Sequence, residues 1–96
     1  MPNFVILGKW TEQGIRNVKD APKRAEDARK WAESHGAKMW TWYMLGEYDF
    51  VSIMDAPNDE VAFEFALNIS KMGNVRTKTM RAWTAEDAAK VMGKVS

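Results

Sequence analysis

The stretch AKMWTWYML, residues 37–45, is apolar on both sides of any strand it forms. Successive side chains of a strand point to opposite faces. One face would carry Ala37, Met39, Thr41, Tyr43 and Leu45, and the other Lys38, Trp40, Trp42 and Met44. An antiparallel sheet with one side in water shows a polar outer face. This strand therefore calls for a cover on both sides. Helices of its own chain can supply one. The economical second cover is another copy of the chain, packed sheet on sheet, and a ligand pocket lined by the sheet is its rival.

The rest of the chain supplies strands and helices in a definite order. NFVILGKW, residues 3–10, is β-branched and aromatic, and reads as a first strand. A helical region runs from there to Gly36 in two pieces. Thr11 is placed to cap the first piece, which Gly14 weakens. Asp20 is placed to cap the second, with Pro22 in its first turn. Ala21, Ala25, Ala28, Trp31 and Ala32 form its apolar stripe. DFVSIMDA, residues 49–56, is the third strand. NDEVAFEFALNISKMG, residues 58–73, is a helix capped by Asn58 and ended by Gly73, with Val61, Phe65, Ala66, Ile69 and Met72 as its buried stripe. NVRTKTMRAW, residues 74–83, is the fourth strand. Thr84 and Asp87 have capping-box spacing and open a short C-terminal helix.

The order β-α-β-β-α-β predicts an α+β, ferredoxin-like fold in a single domain, residues 1–96. Its four-stranded antiparallel sheet carries helices on one face, plus the short terminal helix. Strands one and three are central, and two and four are edges.

Composition removes several classes of function. Fourteen basic and 13 acidic residues leave a net charge of +1, without the basic surplus that nucleic acid attracts. The absence of cysteine excludes disulfides, thiolate zinc sites and cysteine nucleophiles. No apolar run approaches membrane-spanning length, and MPNFVILGKW lacks the pattern of a signal peptide. The expectation is a cytoplasmic protein with no membrane or nucleic-acid partner, no metal and no cofactor.

Three segments carry a family resemblance: KWTEQGIRNVKDAPKR (9–24), LGEYDFVSIMDAPNDE (45–60) and GNVRTKTMRAWTAEDAAKV (73–91). Together they resemble the GYD domain family, which is similar to the dimeric α+β barrel group. That group includes cofactor-free monooxygenases, lactone isomerases, haem-binding enzymes and members without known activity. The resemblance implies a fold and a dimeric α+β barrel-type assembly. It implies no catalytic residues.

The candidate sites each have two readings. Gly46, Tyr48 and Asp49 make a good turn, with Gly46 at positive φ and Asp49 bonding nearby amides. Alternatively Tyr48 and Asp49 are an acid and a base, which needs burial to move their pKa values toward neutrality. The residue types already fit turn chemistry, which puts the turn first. Neighbours on a strand point apart, so a joint catalytic pair is not expected.

Lys9 on a central strand either binds an acidic ligand or reaches past the strand end to water. Trp40, Trp42 and Tyr43 either stack a flat ligand or fill a subunit interface. His35 suits a helix C-terminus, and a haem ligand is its weaker reading. Arg16, Lys19, Lys23, Arg24, Arg29 and Lys30, interleaved with acids, read as a solvated face. The leading functional expectation is a homo-oligomeric, non-catalytic assembly or small-molecule-binding domain. The alternative is a cofactor-independent oxygenase or isomerase acting on a small organic substrate, with Lys9, Trp42, Tyr48 and Asp49 as its site.

Overall fold

The computed structural model describes all 96 residues. Strand β1 (Asn3–Trp10) leads into a short helix α1 (Glu12–Arg16) and a 3-10 turn (Val18–Asp20). Helix α2 (Ala21–Ser34) follows, then strands β2 (Lys38–Tyr43) and β3 (Phe50–Asp55). Helix α3 (Asp59–Lys71), strand β4 (Val75–Ala82) and helix α4 (Ala85–Met92) complete the chain. The sheet order is β2-β3-β1-β4, antiparallel throughout. This is the ferredoxin-like βαββαβ topology that the alternating pattern predicts.

Local chemistry sets the boundaries. The hydroxyl of Thr11 accepts from the Gly14 amide at 3.0 Å, the Asn58 side chain from the Val61 amide at 3.0 Å, and Thr84 from the Asp87 amide at 3.1 Å. Each satisfies a helix-terminal donor that would otherwise lack a partner. Asp20 does not cap α2 with its side chain. The 3-10 turn runs straight into the helix, so Asp20 has helical backbone angles rather than the extended ones a capping residue adopts.

Gly46 has a φ of +110°, and nothing lies within 4 Å of a Cβ built on it. Any penalty for a side chain there is conformational rather than steric crowding. Gly46→Val is expected to destabilise by about 1–3 kcal/mol in urea denaturation. Unchanged stability would show that the turn relaxes freely.

The core lies between the sheet and the two long helices. Phe4, Ile6, Met39 and Met54 come from the strands, and Ala32, Ala62 and Phe65 from the helices. On α3 the buried residues are Ala62 and Phe65, with Val61 and Ile69 packed at the margin. Met72, expected in the stripe, lies past the helix end and is 57% exposed.

Helix α1 is tied to the connection between α3 and β4. The Thr11 amide donates to the Asn74 carbonyl at 3.0 Å, and the Thr11 hydroxyl to the Gly73 carbonyl at 2.6 Å. Gln13 Nε2 donates to the Met72 carbonyl and to Asn74 Oδ1, both at 3.0 Å. Gly14 makes this approach feasible, since a Cβ there would sit 1.9 Å from the Asn74 carbonyl oxygen.

Helix α2 carries exposed ion pairs between Lys23 and Asp27 (2.9 Å), Arg29 and Glu26 (2.6 Å), and Arg29 and Glu33. The Arg29 hydrogen bond holds the Glu26 carboxyl below its ordinary range. Such exposed pairs add little to stability. No helix is long and apolar enough to cross a membrane.

Candidate functional site

The two sides of the sheet present different surfaces. Residues 4, 6 and 8 of β1 face the helices and are buried, so 3, 5, 7 and 9 face the other way. The pairing register then places side chains on the open face in rows across all four strands. One row is Trp40, Ile53, Val5 and Met80. The next is Trp42, Val51, Leu7 and Lys78. Lys38, Asp55, Asn3 and Ala82 flank them at one end, and Lys9 and Arg76 at the other. Neither helix α2 nor α3 covers this side. Trp40 and Trp42 are 46% and 58% exposed there. A solvated outer face should be polar, whereas the two middle rows are almost wholly apolar. Helix α4 likewise buries none of its residues.

The opposite side holds a cleft of about 350 Å³ between the helices and the sheet. Its origin is a mismatch of side-chain volume. Ala21, Ala25 and Ala28 line it from α2. They are apolar enough to face a core but too small to reach the sheet. Aromatic rings form its walls. Trp10 lies 6.1 Å from Tyr43 and 5.6 Å from Phe50, and Trp31 lies 5.8 Å from Phe65, measured between ring centroids.

On the cleft floor, Thr41 Oγ1 and Ser52 Oγ are hydrogen-bonded at 2.8 Å. That bond uses one of the two O–H groups, so one hydroxyl hydrogen remains free to donate. Arg24 also lines the cleft. Its Nη1 donates to the Asn17 carbonyl at 3.0 Å, while its Nη2 is shielded from solvent and has no hydrogen-bond partner.

The sequence candidates fall into separate places. Tyr43 lines the cleft, while Trp40 and Trp42 stand on the far side of the sheet. Lys9, Tyr48 and Asp49 do not line the cleft. The Tyr48 ring lies under two cations, with Lys9 Nζ at 5.2 Å and Lys78 Nζ at 5.8 Å from its centroid. Both contacts have cation–π geometry. Asp49 is engaged with the backbone: its Oδ2 accepts from the Trp10 amide at 2.8 Å, its own amide donates to the Gly8 carbonyl, and its carbonyl accepts from the Met44 amide. His35 stacks on Trp31 at 3.8 Å, with Nδ1 2.8 Å from the Trp31 carbonyl.

Asp49 thus joins the β2–β3 connection to the end of β1. Asp49→Ala would strand the half-buried Trp10 amide, and is expected to cost roughly 1.5–3 kcal/mol, because the lost bond is charge-assisted. Asp49→Asn retains an acceptor and should cost less. Chemical denaturation checks both, and an alanine variant within about 0.5 kcal/mol of the parent would remove the carboxylate from this role.

Sequence reading missed Arg24 and the cleft. Arg24 resembles its solvated neighbours in the sequence, and an alanine stripe signals burial without signalling unfilled volume. The four- and three-residue spacing of Ala21, Ala25 and Ala28 opposite large aromatics was the available signal.

A family model described as the GYD domain matches residues 4–92. The chain is 28% identical over 89 residues to a Thermus thermophilus protein named glutamine synthetase and cystathionine beta-lyase binding protein, covering 91% of this chain and 94% of that one. No solved structure matches the chain.

Proposed function

The chain belongs to the GYD domain family, and from that premise we propose that it is a self-associating binding domain, assembled with a second copy through the open face of its sheet. The observation that carries this reading is the pair of apolar rows on that face. Apolar surface contiguous across four strands spans about 14 Å at ordinary strand spacing, and such surface in water marks an interaction site.

A second copy fits the face by its own chemistry. A two-fold axis running along the strands between β1 and β3 exchanges β2 with β4, and β3 with β1. Trp40 would then meet the second copy's methionine at position 80, a favourable sulfur–aromatic contact. Trp42 would meet its lysine at position 78, a cation–π contact. Val5 and Leu7 would meet isoleucine and valine from β3. The same patch serves both copies, as an isologous interface requires.

The assembled domain is further proposed to bind larger proteins. The name of its Thermus thermophilus relative, a binding protein for two enzymes, supports that step. Sedimentation equilibrium at micromolar concentration tests the self-association, with a dimer or larger species as the expected result. A monomer persisting at tens of micromolar would refute it.

A further inference from the structure

We propose that the cleft between α2, α3 and the sheet is a binding site for a small aromatic carboxylate, with its ring among Trp10, Trp31, Tyr43, Phe50 and Phe65 and its carboxylate on Arg24. The cleft lies on the opposite side of the sheet from the self-association face, so the proposal stands apart from that reading.

Three observations converge on this ligand class. The first is shape and lining. A volume of about 350 Å³ is at the small end for ligand sites. Aromatic side chains on both walls favour a flat apolar body, which can stack between them.

The second is charge. Arg24 lines the chamber, and its Nη2 has neither a hydrogen-bond partner nor contact with water, so a turn of the guanidinium into the chamber presents it to a ligand. Such a donor is costly to leave unmet, and a carboxylate is its natural partner. The other cation on the lining is Lys71. The one lining carboxylate, Asp27, is already held by Lys23 through both oxygens, at 2.9 and 3.1 Å. The lining therefore has a cationic surplus at a predominantly apolar chamber. A single arginine without a glycine-rich amide cradle matches a singly charged carboxylate better than a phosphate.

The third is the Thr41–Ser52 pair, which leaves a hydroxyl hydrogen available on the floor. It gives the ligand's ring a polar contact away from Arg24, and so favours ring substituents that accept a hydrogen bond.

The test is calorimetric titration of the full chain with sodium 1-naphthoate and with neutral naphthalene-1-carboxamide. The acid is expected to bind at least about tenfold more tightly than the amide. Arg24→Met should abolish that difference by weakening the acid far more than the amide, and Arg24→Lys should restore part of it. Ala28→Leu fills the chamber without touching the charge, and should weaken both ligands by about tenfold or more.

Indole N–H resonances locate the site independently of any variant. Naphthoate should shift Trp10 and Trp31 and leave Trp40 and Trp42 in place. The proposal is overturned if naphthoate does not bind at millimolar concentration, if acid and amide bind equally, if Arg24→Met keeps the preference for the acid, or if the shifts fall on Trp40 and Trp42.

Discussion

Gly14→Ala is expected to lower stability by about 2–3 kcal/mol, the cost of overpacking a tight contact. In an exposed helix the same change stabilises by roughly 1 kcal/mol, because alanine is the better helix former. The reversal of sign is the informative part. A methyl at this position would lie 1.9 Å from the Asn74 carbonyl oxygen. That oxygen is fixed by the Thr11 amide, so it cannot simply turn away. Helix α1 must lift from the connection between α3 and β4, at the expense of the Thr11 and Gln13 bonds to residues 72–74. A thermal scan should show a fall of roughly 10–20 °C for a chain of this size. An unchanged or raised midpoint would mean that α1 is free to move.

Trp42→Lys is expected to raise the dissociation constant of self-association by on the order of a hundredfold or more, since it places a charge with no partner in a dry interface. In the proposed packing that lysine would also face the lysine at position 78 of the second copy, adding like-charge repulsion. The single domain should scarcely notice the change. Trp42 is 58% exposed, and substitutions at such positions usually alter folding stability by no more than about 0.5 kcal/mol. Velocity sedimentation beside circular dichroism separates the outcomes. A folded variant that still dimerises like the parent would exclude the open face as the interface. The unsubstituted chain already supplies the primary test, so loss of folding in this variant would not rescue the reading.

The fold was legible because its signals are local. Runs rich in β-branched and aromatic residues mark the strands, three capping side chains open α1, α3 and α4, and glycines at positive φ end α2 and α3. The misplaced cap at Asp20 has a local cause too, since a 3-10 turn joined to a helix leaves no separate helix start. The cleft was not legible for a different reason. It depends on the distance between α2 and the sheet, which side chains from six elements set together. Arg24 shows the difference most plainly. In the chain it sits among solvated lysines and acids, and only the fold places it on a cleft lined by aromatic rings. The partner of the Asp49 carboxylate is similarly non-local, an amide 39 residues away on β1 rather than one in its own hairpin.

The two-sided character of β2 has a consequence for how the chain avoids misfolding. A strand with one oily and one wet side resists sliding by one residue, because the slip would turn every side chain to the wrong environment. Here a slip would exchange Trp40 and Trp42 for Met39, Thr41 and Tyr43, one largely apolar set for another. Hydrophobicity alone discriminates weakly between these alignments. Alignment of this edge strand therefore falls to a pair of discrete marks. Thr41 must find Ser52, and the Met44 amide must reach the Asp49 carbonyl across the tip. Each is polar, each is satisfied at one alignment only, and together they do for this strand what an ordinary amphipathic pattern does for others.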